Sequence, residues 1–420
     1  MKEYGSNGKI LFEGEYKNGE RNGKGKEYDD NKLVFEGEYL NGKRNGKGKG
    51  SINYLNYIHH KNYIYDGEYL NGIRNGKGKL YLNGKLLFDG EYLYGYRNRG
   101  KEYINERLEY EGDFLFNKKW NGKGYDENGN LIYELINGNG KVKEYYQNGI
   151  LHFEGEYLNG KKNGKGKEYG KSGKLAFEGD YLNDNRWTGI IYEPNNNSNK
   201  WEIKDGKGLV REYNGDFLKF EGEYLNGKRN GKGKEYKWNG KLSFEGEFLN
   251  GQKNGKGKEY DFISGYFIFE GEYLNGERNG KGKEYVYNDK ISFEGEYLNG
   301  KRYGKGKEYN KEGKLKFEGE YLKGYRWNGK GYDPYNNIVY ELKEGRGVIK
   351  EFFNGKLSFE GEFLNGKING KGKEYRAGRI SFEGEYLNGQ RNGKGKEYKY
   401  NGELIFEGEY LNGQRNGKGK

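Results

Sequence analysis

Cysteine is absent from this chain. That excludes disulfide staples and thiolate metal sites, and it leaves the redox compartment open. Proline occurs only twice among 77 glycines, which rules out a Pro-rich linker and collagen alike. Long apolar runs are missing too. No segment approaches 18 apolar residues, and Met1-Lys2-Glu3-Tyr4 opens without an apolar signal core. The reading is a protein without a membrane span or secretory leader, expected in the cytoplasm or peripheral at a membrane. Histidine appears three times, as His59, His60 and His152. His59-His60 lies between Ser51 and Ile64 with no nucleophile pattern nearby, so it reads as a solvated loop pair. No catalytic residue, metal ligand or cofactor is assigned. Carboxylates are abundant, but each copy of the pattern described below sets them beside lysine, which marks them as sheet surface rather than a catalytic pair.

Apolar residues make up only 32% of the chain and mean hydropathy is −1.26, values that on their own suggest disorder. Aromatic content argues the other way. With 44 Tyr and 22 Phe, and roughly 150–250 Å² available for burial on each ring, a thin ordered core is feasible. The rings fall in a repeated pattern. Full copies begin at Phe12, Phe35, Tyr65, Phe88, Tyr110, Phe153, Phe177, Phe220, Phe244, Phe269, Phe293, Phe317, Phe359, Phe382 and Phe406. Most steps are 22 to 25 residues, and three are 42 or 43. A period of this size implies a linear array in which each unit buries its apolar face against its neighbours. The expectation is one array over residues 1–420.

Within a copy, Leu242, Phe244, Gly246 and Phe248 alternate with Lys, Ser and Glu, the period of a half-buried strand. Asn250-Gly251 begins a link, Asn254-Gly255 ends it, and Gly255 to Tyr260 reads as the return strand. Hairpin then follows hairpin in an all-β meander. If Tyr39 faces Gly46, then Gly37 faces Gly48 and Glu38 faces Lys47, with rings over glycines on one side and opposed charges on the other. A slip of one residue would lose both gains. Shortened copies near Tyr133, Trp201 and Tyr340 fill the long gaps, each lacking six residues and each following a unit with a Trp in its link (Trp120, Trp187 and Trp327). Fifteen full and three short units make 18 hairpins, spanning roughly 170 Å at about 4.8 Å per strand before twist.

The motif aromatic-x-Gly-x-aromatic-x-x-Gly-x-x-x-Gly-x-Gly resembles the MORN (membrane occupation and recognition nexus) repeat. Phe35, Gly37, Tyr39, Gly42, Gly46 and Gly48 match it position by position, as do Phe220, Gly222, Tyr224, Gly227, Gly231 and Gly233. Two departures are Asn117-Lys118, where a glycine is expected, and Asn98-Arg99-Gly100, which lacks Gly-x-Gly; local distortion is expected in both units. The resemblance implies stacked β-hairpins forming a grooved scaffold of a kind that dimerises or brings proteins to membranes.

Gly42-Lys43-Arg44-Asn45-Gly46-Lys47 has the wrong spacing and no hydroxyl for a phosphate loop. The basic surplus, formally +12, is unevenly placed. The outgoing strand carries Glu-Gly-Glu, while the link and return strand carry Lys43, Arg44, Lys47 and Lys49. Stacking is expected to turn this into parallel acidic and basic stripes. Candidate contacts for anionic lipid are therefore Lys43, Arg44, Lys47, Lys49, Lys228, Arg229, Lys232 and Lys234. Interleaved glutamates argue against nucleic acid. The ends, Lys2-Glu3-Tyr4 and a Lys420 that follows Gly-Lys-Gly, read as unpaired terminal strands that self-associate or as a piece of a longer array. The functional expectation is a non-enzymatic scaffold for an unidentified protein partner, with a peripheral module for anionic phospholipids as the alternative.

Overall fold

The structure is a computed structural model describing all residues except 6–7, 52–62, 194–195, 215–216, 287–288 and 417–420, and the side chains of 196–198. His59-His60 and the last four residues therefore lie outside the described residues. The chain forms two compact units, Met1–Asp216 and Phe217–Lys420. Among the described residues all regular structure is strand, 37 strands in total. Within each sheet every strand pairs with its sequence neighbour, the meander that the alternating pattern predicts.

The Phe35 hairpin, strands Lys32–Leu40 and Lys43–Ser51, shows how one repeat closes. Asn41 (φ 50°) and Gly42 (φ 76°) form its two-residue tip, the left-handed pair that a tight reversal demands and that Asn-Gly supplies. The return strand thus starts at Lys43, not at Gly46 as the sequence suggests. Asn45-Gly46 is not the end of a link but a bulge inside that strand. Gly37 faces Gly48 and Glu36 faces Lys49, but Tyr39 faces Arg44, leaving one residue against three. Gly46 takes the strained φ of 91° there. Tyr39 therefore does not face Gly46. Gly46 instead faces Tyr69 of the next hairpin, and Lys47 faces Glu68. Ring over glycine and charge against charge are both realised, but for this position between hairpins rather than within one.

The crossings align one glycine per strand into a column, as in Gly222, Gly233, Gly246, Gly257, Gly271, Gly282, Gly295, Gly306, Gly319 and Gly329. A side chain in this column has nowhere to go. A Cβ on Gly257 would come within 2.4 Å of the Phe244 ring, and one on Gly246 within 2.6 Å of Gly257 Cα. The rings that occupy this space form the core. Phe244 meets Phe248 of its own hairpin at 5.5 Å and Tyr273 of the next at 5.1 Å, both edge to face. The same zigzag recurs from Phe269 to Tyr321. Such contacts contribute about 0.5–1.5 kcal/mol each beyond the area they bury.

The three short hairpins interrupt this order. The sheets break between Leu135 and Gly140, Ile203 and Gly208, and Leu342 and Arg346, with one isolated bridge at each tip. The glycine column ends there in branched residues: Gly122 faces Leu135, Gly189 faces Ile203 and Gly329 faces Leu342, all three buried. After two of the breaks the column resumes through Val142 and Ile349, which face Gly155 and Gly361. A full hairpin holds its strands together by close glycine approach. Here bulky side chains fill the space and the strands part.

Candidate interaction surface

One face of each sheet carries the rings and the other carries Glu-Gly-Glu and Lys-Gly-Lys. Antiparallel pairing decides how the charges meet on that polar face. Glu221, Lys234, Glu245, Lys258, Glu270, Lys283, Glu294, Lys307, Glu318, Lys330 and Glu341 are cross-strand neighbours in a single row. The expected parallel acidic and basic stripes therefore do not form, because each acidic strand lies between two basic ones. A second row runs alongside, in which Lys232 faces Glu247, Lys256 faces Glu272, Lys281 faces Glu296 and Lys305 faces Glu320. Between the rows the column glycines present bare backbone.

The result is a charged-walled, glycine-floored groove. One stretch of about 740 Å³ is lined only by Glu, Lys and Gly, among them Glu294, Gly295, Glu296, Lys305, Gly306 and Lys307. Two similar stretches, about 750 and 590 Å³, run over the Phe359 to Phe406 hairpins and the first two hairpins. Their walls are held in place. Tyr260, Tyr285 and Tyr309 donate to Glu245, Glu270 and Glu294 at 2.7, 2.6 and 2.6 Å. In the second row the carboxylate folds over the bulge and accepts a backbone N–H, as Glu38 does from Lys47 at 3.0 Å.

The aromatic face is also lidded by charge, which the sequence did not reveal. Arg44 packs 4.0 Å above the Phe35 ring and pairs with Glu27. Arg229 lies 4.2 Å above Phe220 and pairs with Glu235 at 2.6 Å. Glu27 thereby links adjacent hairpins, and Glu235 does so through Lys253 of the next hairpin at 3.6 Å. Glu374 accepts from Tyr386 at 2.7 Å and from Arg391 at 2.9 and 2.6 Å. Glu308 shows the electrostatics. Burial raises its carboxyl, but Arg326, Lys316 and Arg302 outweigh burial and hold it down at about 2.

The eight sequence-predicted basic residues therefore fall on different surfaces. Lys47, Lys49, Lys232 and Lys234 stand in the polar-face rows. Lys43 and Lys228 sit beside the hairpin tips, opposite Leu40 and Leu225. Arg44 and Arg229 are half-buried over rings on the opposite face. They are not brought together into one basic stripe. The signal that places the arginines is subtle: their position pairs with the second aromatic of the repeat, but only once the bulge has been counted.

A second concavity lies at the first sheet break. Its volume is about 460 Å³, and its lining includes Glu102, Glu109, Lys119, Glu144, His152 and Tyr157. Glu109, only 4% exposed, accepts from Lys119 at 2.5 Å and from Tyr133 at 3.3 Å. Burial pushes its carboxyl up to about 7, with Lys119 opposing and Glu102 adding to the rise. His152 packs against Tyr146 with ring centroids 4.4 Å apart and planes tilted by 46°, and burial holds its pKa below the ordinary value. Lys118 and Asp184, three hairpins apart, meet across the short hairpin at 3.1 Å. Trp120 packs on the short tip, where a Cβ on Gly138 would come within 2.9 Å of its ring, and Trp327 stands likewise to Gly345 at 2.7 Å. These two tryptophans pack against the tips of the shortened hairpins that follow them. Among the described residues no group of three or more His, Cys, Asp or Glu is arranged to hold a metal ion. Among the described residues no helix is long and apolar enough to cross a membrane.

Comparison with known proteins adds a pattern of its own. The MORN repeat family model matches residues 12–33, 35–49, 65–84, 153–174, 220–240, 244–261, 269–288, 293–314, 359–378, 382–403 and 406–420. The seven hairpins it passes over form a structural class. Three are the short ones. The other four, at Phe88, Tyr110, Phe177 and Phe317, have a bulge of one residue against two. No curated protein matches this chain. A chain in the solved structure described as "Crystal Structure of TcdB2-TccC3-Cdc42" is similar at 10% identity over 90% of this chain, with a TM-score of 0.14, a likeness that carries no argument. This protein spans 24% of that chain's length.

Proposed function

The chain belongs to the MORN repeat family, and from that premise we propose that it is a non-enzymatic scaffold whose polar-face groove binds a protein partner. One observation carries the reading: carboxylate and ammonium alternate without interruption from Glu221 to Glu341 above a floor of bare glycine backbone. A lipid headgroup layer of one sign would meet a like charge on every second strand. A polypeptide carrying both signs can match the row, gaining specificity from register. The alternation thus favours protein over anionic phospholipid.

The test is chemical cross-linking of the full chain in its native cell. Protein adducts should concentrate on Lys281, Lys283, Lys305 and Lys307 rather than on Lys241 and Lys290 at the turns between hairpins. Lys305→Glu with Lys307→Glu should lower recovery of the cross-linked partner at least tenfold. Salt-sensitive flotation with acidic vesicles, unaccompanied by protein adducts, would replace this reading with the lipid one.

A further inference from the structure

Two consecutive hairpin tips in the first unit break the rule that the other tips follow, a polar residue in first position. Eighteen tips have a non-glycine residue at φ near 50° in their first position, and thirteen of these are Asn. Asn tolerates the left-handed region because its short polar side chain bonds locally, whereas bulky residues rarely enter it. Yet Tyr94 (φ 49°) and Phe116 (φ 50°) occupy this position in the Phe88 and Tyr110 hairpins. Their rings are 71% and 70% exposed, so no burial in the chain compensates the strained backbone. Around them Leu70, Ile73, Leu93, Tyr96 and Leu115 are exposed as well. Tyr96 meets Phe116 edge to face at 5.5 Å, so the side chains of adjacent tips make one continuous surface.

Charge has been removed from the same place. Ile73 and Tyr96 stand where the Phe35, Phe153, Phe220 and Phe293 hairpins carry Lys43, Lys161, Lys228 and Lys301. The lysine that remains, Lys118, is paired with Asp184 at 3.1 Å. An anionic membrane would be met by basic tips, and these have lost theirs. Aromatic enrichment with charge depletion is the composition of the buried centre of a protein interface.

Spacing selects the kind of partner. Successive tips are two strands apart, about 9.6 Å. Seven residues of α-helix rise about 10.5 Å, so a helix lying across the tips returns an apolar residue to each one. An extended chain returns a side chain to the same face every ~6.6 Å and falls out of step at the second tip. We propose that the tips of the Tyr65, Phe88 and Tyr110 hairpins form a docking site for an amphipathic α-helix of another protein, with apolar residues repeating at i, i+7 and i+14. This surface is separate from the polar-face groove.

The test titrates the full chain into a fluorescent 21-residue peptide with leucines at i, i+3, i+7, i+10, i+14 and i+17 and neutral polar residues elsewhere. A peptide of identical composition with alternating leucines serves as the control. The helix-patterned peptide should bind and gain helical circular dichroism, and Tyr94→Asn with Phe116→Asn should weaken it at least tenfold. The same double variant should melt no lower than the parent, because Asn restores the residue that the tip conformation favours. Lys305→Glu with Lys307→Glu should leave peptide binding unchanged, so failure here is distinguishable from failure of the groove. The proposal is overturned by absence of binding, by equal binding of the control peptide, or by a melting point that falls in the double variant. It is equally overturned if the double variant instead abolishes vesicle flotation or converts a dimer into a monomer in sedimentation, outcomes that assign the patch to lipid or to a second copy.

Discussion

The run of hairpins from Phe244 to Phe293 and the stretch from Phe88 to Tyr145 use the same alternating pattern but close differently. In the regular run each return strand carries two extra residues in its bulge, and a left-handed glycine takes up the turn, Gly255 at φ 90°, Gly280 at φ 89° and Gly304 at φ 61°. In the irregular stretch two successive hairpins carry only one extra residue, and a third is cut short at Leu135. The sheet ends there, and Lys118 reaches Asp184 three hairpins on. The alternation within the strands changes little between the two regions, although the tips exchange Asn250, Asn275 and Asn299 for Tyr94 and Phe116. The path changes with the length of the return strand, and the difference teaches that this repeat sets its course by counting residues at the bulge.

The comparison is most directly broken at its rings. Phe269 is fully buried between Tyr273 and Tyr297 and lies under Arg278. Phe269→Ala should lower stability by about 3–5 kcal/mol, read as a shift of the urea midpoint of the full chain. A loss under 1 kcal/mol would mean that the regular run does not rest on its ring zigzag.

A smaller and pH-dependent effect separates the two carboxylates. Glu308, held at about 2, contributes stability that is complete above its unfolded value of about 4.5 and is lost as pH falls toward 2. Glu109, raised to about 7, behaves oppositely. The unfolded chain gives up this proton first, so stability falls as pH rises from about 4.5 to 7 and then levels. Glu109→Gln should therefore raise the urea midpoint at pH 8, equivalent to roughly 1–3 kcal/mol, and leave it nearly unchanged at pH 5. An equal effect at both pH values would show that the buried carboxyl is not perturbed by the sheet break.

The smallest effect sharpens the bulge itself. Gly280 sits at φ 89°, where a Cβ would come within 2.0 Å of the Glu272 carboxylate. Gly280→Ala should cost about 1–2 kcal/mol. In the one-residue bulges Asn328 follows Trp327 and donates to Glu320 at 2.7 Å instead. Asn328 also accepts the N–H of Glu344 at 2.7 Å, and because both contacts are exposed Asn328→Ala should cost no more than about 1 kcal/mol.

Much of the fold was legible in the chain. Period-two alternation marked the strands, and Asn-Gly pairs such as Asn41-Gly42 marked where each reversal begins, because few other residue pairs accept their dihedrals. The opposition of Gly37 to Gly48 followed from parity. Less of the candidate site could be read. Asn45-Gly46 looked like a second turn because the same dipeptide serves turns and bulges, and the side chain of Asn45 in fact accepts the N–H of Asn71 at the next tip. Arg44 looked like part of a basic surface, and the two bulge residues turned it onto the Phe35 ring instead. The exposed aromatics at Tyr94 and Phe116 carried a readable signal, since each replaces the tip Asn, but a consensus reading passes over such departures.

The sequence by itself determined that this chain is an array of hairpins, because alternation, left-handed turn residues and side-chain-free crossings are local requirements that neighbouring residues meet. Only the tertiary structure decided which charges share a face, where the sheets part and which tips come together. Those outcomes depend on how antiparallel strands interleave and on residues gained or lost at a bulge, quantities that acquire meaning only when one hairpin lies against the next.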